Sequence, residues 1–121
     1  MTNFQTQKKL VLNYFNELDK ASTDNTMRVI KKYTSADFHL KATHPFNNLY
    51  GTEDVANKLW MPIKKSFTPI QRRMDIFYAG KNSIDNNKTT WVTSMGHLLG
   101  IFNKPFLGIQ PNHKMAMLRY A

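Results

Sequence analysis

Apolar positions recur with a helical period in the first half of the chain and with a period of two in the second. Val11, Tyr14, Phe15 and Leu18 fall at i, i+3, i+4 and i+7, which predicts an amphipathic helix over residues 5–20. Ser22, Thr23, Asp24 and Asn25 are all helix-capping residue types, so a break and a restart are expected there. Met27, Ile30 and Tyr33 then mark a shorter second helix. Phe38 and Leu40 alternate with His39 and Lys41, the pattern of a short strand over 37–42. Pro45, Asn47, Asn48 and Gly51 punctuate the following stretch as a loop. A third helix is expected from Thr52 as its cap, with Glu53 and Asp54 in the positive first turn. Its apolar stripe is Val55, Ala56, Leu59, Trp60, Ile63 and Phe67. Pro62 lies inside the stripe and predicts a kink or an early end, because it lacks a backbone donor.

After Pro69 the pattern becomes strand-like. Residues 71–78 alternate Met74, Ile76 and Tyr78 against Arg73, Asp75 and Phe77, and residues 79–88 read as a polar hairpin loop. A long strand is expected over 89–101. Trp91, Thr93, Met95, His97 and Leu99 lie on one face and Val92, Ser94, Gly96 and Leu98 on the other. Gly96 and Gly100 read as a bend or bulge. Residues 102–112 form an apolar loop with Pro105, Gly108 and Pro111, and 114–120 a last strand with apolar residues on both faces. Helices first and an antiparallel meander second give an α+β class: N-terminal helices packed on a curved antiparallel sheet, with an apolar cavity between them. The whole chain, residues 1–121, reads as a single domain.

Composition narrows the chemistry. The chain has no cysteine, which excludes disulfides, zinc ribbons, thiol catalysis and iron–sulfur clusters. No apolar run approaches the roughly 20 residues of a membrane span, and the first nine residues lack the apolar stretch of a signal peptide, so a cytoplasmic protein is expected. The net charge is +9 and unevenly spread: residues 61–121 carry nine basic and only two acidic side chains. Such a half suits an anionic partner or nucleic acid. However, the basic pairs Lys31-Lys32, Lys64-Lys65 and Arg72-Arg73 are not interleaved with aromatics, so nucleic acid is not the expected partner.

No pair of the four histidines has helical spacing, no G-x-S-x-G occurs, and no Gly-rich phosphate loop is present. Neither metal nor cofactor is therefore expected. Asp75 is the one strand carboxylate of the second half. In an apolar cavity its pKa would rise, and with His97 beside it the pair could act as acid and base; on an outer face Asp75 would simply neutralise Arg73 or Arg119. Tyr14, His44, Trp60, Tyr78 and Trp91 are the candidate walls of a pocket for a small apolar molecule, with a border of Trp60 and Asp75. The same aromatics also suit ordinary core packing. The last strand offers an unpaired apolar edge, from which a homodimer is expected.

The segment His44-Pro45-Phe46-Asn47-Asn48-Leu49-Tyr50-Gly51-Thr52-Glu53-Asp54-Val55, followed by Leu59-Trp60-Met61-Pro62, resembles the SnoaL-like polyketide cyclase family, which has the nuclear-transport-factor-like, or cystatin-like, fold. Gly96-His97-Leu98-Leu99-Gly100-Ile101-Phe102 and Leu107-Gly108-Ile109-Gln110-Pro111-Asn112-His113-Lys114 also resemble that family, so the likeness spans about residues 8–121. The resemblance implies a cone-shaped α+β domain and ring closure by cofactor-independent aldol chemistry, using a strand His and an Asp on the next strand. Aligned by the glycines, Leu98 occupies the His position and His97 is one residue off, on the other face of a regular strand. The Asp position falls near Met117 to Arg119, where no carboxylate exists. The family pattern also continues with a further strand, so the resemblance implies a domain whose final strand is missing.

Overall fold

A computed structural model describes residues 4–121. Helix α1 (Gln5–Lys20) has the predicted bounds and buries Leu18 completely. A 3-10 turn over Thr23–Asn25 leads into α2 (Thr26–Tyr33), whose Val29 and Ile30 are buried. The break between them is held by Thr26, whose hydroxyl donates to the Ser22 carbonyl at 2.9 Å.

Strand β1 (His39–Lys41) pairs antiparallel with β2 (Asn48–Tyr50). The pattern predicts the first and reads the second as loop, because β2 lies among the turn-forming residues Asn47, Asn48 and Gly51. Gly51 follows at φ 81, a left-handed conformation that favours glycine, and turns the chain into a helix. The helix begins at Gly51, not after Thr52, and no side chain caps it. It runs as α3 (Gly51–Val55), a wider π-wound stretch (Ala56–Trp60) and α4 (Met61–Ser66), with helical backbone across both junctions. The π stretch lies just before Pro62. A local widening there accommodates the proline ring and its missing donor, so the helix continues to Ser66 rather than ending early. Phe67 leaves the expected helical stripe and opens the next strand.

Three long strands form an antiparallel sheet in the order β3-β4-β5: β3 (Phe67–Lys81), β4 (Thr90–Phe102) and β5 (Met115–Tyr120). β3 begins four residues before the predicted start. Its register against β4 slips between Thr68 and Gln71, around Pro69, which has no donor for the ladder. A second slip lies between Met74 and Ile76, so Asp75 is the extra residue of a bulge. The cause is visible on β4: a Cβ on Gly96 would lie 2.0 Å from the Arg73 carbonyl oxygen. β3 thus bends tightly over a position that only glycine can fill.

The bulge reverses the phase of β3. Arg72 and Met74 point toward the helices before it, and Phe77 and Ala79 after it. Ile76 and Tyr78 consequently face outward. β4 has no bulge of its own and alternates regularly, with Ser94, Gly96, Leu98 and Gly100 buried. The densest core lies among Leu18, Val29, Ile30, Leu49, Val55 and Ala56, between the helices and the small β1–β2 hairpin.

Candidate functional site

Three regions bring chemically capable side chains together. The first is on the outer face of the sheet. Arg73 and His97 are cross-strand partners, and Asp75 is carried beside them by the bulge. Asp75 Oδ2 lies 3.2 Å from His97 Nδ1, Asp75 Oδ1 lies 3.3 Å from Arg73 Nε, and Arg73 Nη2 lies 3.0 Å from His97 Nδ1. A neutral imidazole nitrogen can donate to Asp75 or accept from Arg73, but not both. The Asp75 side chain is 43% exposed, so water screens this cluster.

The expected pocket bordered by Trp60 and Asp75 is therefore not what the fold builds. Asp75 and His97 do meet, but on the side of the sheet away from the helices. Tyr78 is 56% exposed and Trp91 62% exposed on that same face, and His44 is exposed in the β1–β2 turn. Of the seven candidates, Tyr14 and Trp60 alone are on the helix side.

The second region is the helix side itself. Arg72 donates from Nε to Asp19 Oδ2 at 2.8 Å and from Nη2 to Asp19 Oδ1 at 2.9 Å, a two-pronged pair with side chains only 7% and 18% exposed. The guanidinium carbon is 4.1 Å from the centre of the Phe15 ring, 4.6 Å from Tyr120 and 5.8 Å from Trp60. Tyr120 in turn shares a 2.9 Å hydrogen bond with Ser94. Burial pushes the Tyr14 phenol up to about 12, with Arg72 and Asp19 as opposing charges nearby. Trp60 Nε1 is buried with no hydrogen-bond partner among the described residues. Lys64 is spent on structure: it donates to the carbonyls of Leu18 and of Ala21 (2.8 Å) and to Thr26 Oγ1 at 3.1 Å, tying off the end of α1. Burial lowers the pKa of its ammonium.

The third region is a groove of about 360 Å³ between the α3–α4 helix and the β4–β5 connection. Asn57, Met61 and Lys65 line it at successive i, i+4 positions of the helix, joined by Pro62 and Ser66. Pro105, Phe106 and Leu107 form the opposite wall. That wall is held in place. Ser66 donates from Oγ to the Pro105 carbonyl at 2.9 Å, and the Asn103 amide donates to the Ser66 carbonyl at 2.8 Å. Phe106 and Ile109 exchange backbone hydrogen bonds at 3.0 and 2.9 Å around Leu107 and Gly108, both at positive φ, a tight hairpin turn. The Phe106 ring packs edge-on against Phe67, with centroids 5.2 Å apart. Neither Trp60 nor Asp75 borders the groove. Sequence reasoning missed this groove: 102–112 reads only as an apolar loop, and Lys65 only as half of a basic pair.

Among the described residues no three metal-ligating side chains converge, and no helix is long and apolar enough to cross a membrane.

Helices laid against an antiparallel meander make this an α+β fold. One solved structure with this fold is described as a SnoaL-like polyketide cyclase from Jannaschia sp. CCS1. It superposes with a TM-score of 0.70 over 98% of this chain and 76% of its own, at 18% identity. No protein-family profile and no curated protein matches the chain. The likeness is one of fold. Leu98, the residue that the glycine alignment sets at the cyclase His position, is 4% exposed and faces the helices, while His97 faces outward.

Proposed function

We propose that this SnoaL-like fold binds a small, mostly apolar molecule in the groove between the α3–α4 helix and the β4–β5 connection. The observation that carries it is the groove itself: its volume of about 360 Å³ falls in the range of about 300–1,000 Å³ usual for small-molecule sites. Met61, Pro62, Pro105, Phe106 and Leu107 supply apolar surface, and a few polar groups at the rim supply orientation. No carboxylate or imidazole lines it, so this is a binding site rather than an acid–base centre of the cyclase kind. Asp75 and His97 lie on the outer face of the sheet and do not line this groove. The test is a titration of isotope-labelled protein with 2-naphthamide, an uncharged probe, followed by amide shifts. Saturable shifts at Asn57, Met61, Phe106 and Leu107 are expected; no shifts at those residues with this probe or with its carboxylate analogue, 2-naphthoate, would overturn the proposal.

A second reading, self-association, is favoured by the outer face and its edge. β5 pairs with β4 alone among the described residues, which leaves its other edge open. Ile76, Tyr78, Trp91, Met115 and Met117 are all exposed, and each lies on β3, β4 or β5. We propose a symmetric homodimer that covers this surface. Light scattering at low micromolar concentration should give twice the 14.1 kDa chain mass; a monomer mass would contradict it.

A further inference from the structure

Among the described residues, Lys65 is the one charged side chain lining the groove, and no carboxylate lines it. The contrast with its neighbour is informative. Lys64 is turned inward and bonded to two carbonyls and a hydroxyl. Lys65, exposed one position later, forms no ion pair or hydrogen bond with any described residue. The groove therefore joins apolar walls to a single cation without a counter-ion. Asn57, two turns earlier on the same helix face, adds an amide that can donate.

The negative end of α4 also lies at this groove, and by itself it would oppose an anion. It is partly quenched: the Ser66 carbonyl accepts from the amides of Asn103 at 2.8 Å and Lys104 at 3.4 Å. What the site presents to a ligand is then an apolar trough with an ammonium at its rim. An uncharged apolar molecule would use the walls and leave the ammonium idle. An apolar molecule with a carboxylate would use both, with a charge-assisted hydrogen bond from Nζ. The chain's net charge of +9 draws such an anion toward the protein in general, but Lys65 is what would fix its head at this position.

We infer that the groove selects an apolar monocarboxylate, an aromatic or short acyl acid whose carboxylate pairs with Lys65 and whose body lies against Met61, Pro62, Phe106 and Leu107. This rests on the groove being the ligand site proposed above, and the experiment separates the two claims. 2-Naphthoate and its uncharged isostere 2-naphthamide are titrated into the wild-type protein, Lys65→Met and Lys104→Met, with amide shifts and affinity read together. Lys104 does not line the groove and controls for general charge. The expected result is naphthoate binding at least tenfold tighter than naphthamide in wild type and in Lys104→Met, and that preference lost in Lys65→Met, which still binds naphthamide in the groove. Equal affinity for the two probes, or a preference that survives Lys65→Met or disappears in Lys104→Met, overturns the inference and leaves the groove as a binding site. Absence of groove shifts with either probe overturns both. A well-dispersed amide spectrum for each variant shows that folding is intact, and Lys65→Gln serves if Lys65→Met does not fold.

Discussion

Arg72 and Arg73 are adjacent in sequence and live in opposite surroundings. The pleat of β3 sends Arg72 toward the helices, where its side chain is 7% exposed, paired twice with Asp19 and boxed by Phe15, Tyr120 and Trp60. It sends Arg73 outward, 52% exposed, to a looser cluster with Asp75 and His97. Both clusters contain an arginine and a carboxylate within hydrogen-bonding reach. Their energetic weight differs because one has lost its water and the other has not. A buried charge stripped of its partner costs about 3–5 kcal/mol, whereas an exposed pair is worth about 0–1 kcal/mol. The two faces of one sheet therefore differ: the inner face holds the fold together, and the outer face is open to water.

The largest way to break this contrast is Asp19→Ala. It leaves Arg72 buried without its carboxylate and should destabilise the protein by about 3–5 kcal/mol in urea unfolding. A loss below about 1 kcal/mol would show that the inner pair is no more than a surface pair.

Next in size is an alkaline effect on the same inner face. The Tyr14 phenol is raised to about 12 from an ordinary 10.0 because burial disfavours the phenolate. Neutral Tyr14 thus stabilises the folded state fully below about pH 10, and that contribution disappears as pH rises through about 12. The loss should approach about 2–3 kcal/mol. Unfolding free energies of wild type and Tyr14→Phe should diverge over that window and run parallel below it. Parallel curves throughout would place Tyr14 in water.

Gly96→Ala sharpens the account of how the faces are set. Its new methyl would collide with the Arg73 carbonyl, so β3 must move at the bulge. We expect a cost of about 1–3 kcal/mol, as for overpacking a tight site, together with shifted amide signals at Arg73 and Asp75. A neutral substitution would mean that β3 does not approach β4 so closely. The smallest effect is expected of Asp75→Asn, within about 1 kcal/mol in the same assay; a loss as large as that of Asp19→Ala would erase the comparison.

Much of the fold was legible in the pattern of apolar positions. α1 has its predicted bounds, and β4 is displaced by one residue from the expected 89–101. The failures have local causes. β2 is hidden among the turn-forming residues Asn47, Asn48 and Gly51, Thr52 lies inside its helix rather than capping it, and Phe67 fits a helical stripe by spacing yet begins a strand. The site was much less legible. Alternation on 71–78 puts Met74, Ile76 and Tyr78 on one face, and one extra residue at Asp75 separates Met74 from the other two. No sequence signal marks Asp19 and Arg72 as partners across 53 positions. Nor does spacing reveal that the helix face bearing Lys65 is roofed by Phe106 and Leu107, because that depends on how the β4–β5 connection folds back.

The most direct test of where this protein works is a map of amide shifts during a 2-naphthoate titration. Our account predicts saturable shifts centred on Asn57, Lys65, Phe106 and Leu107, with Arg73, Asp75 and His97 unmoved. Shifts centred instead on Asp75 and His97, with the groove silent, would contradict it.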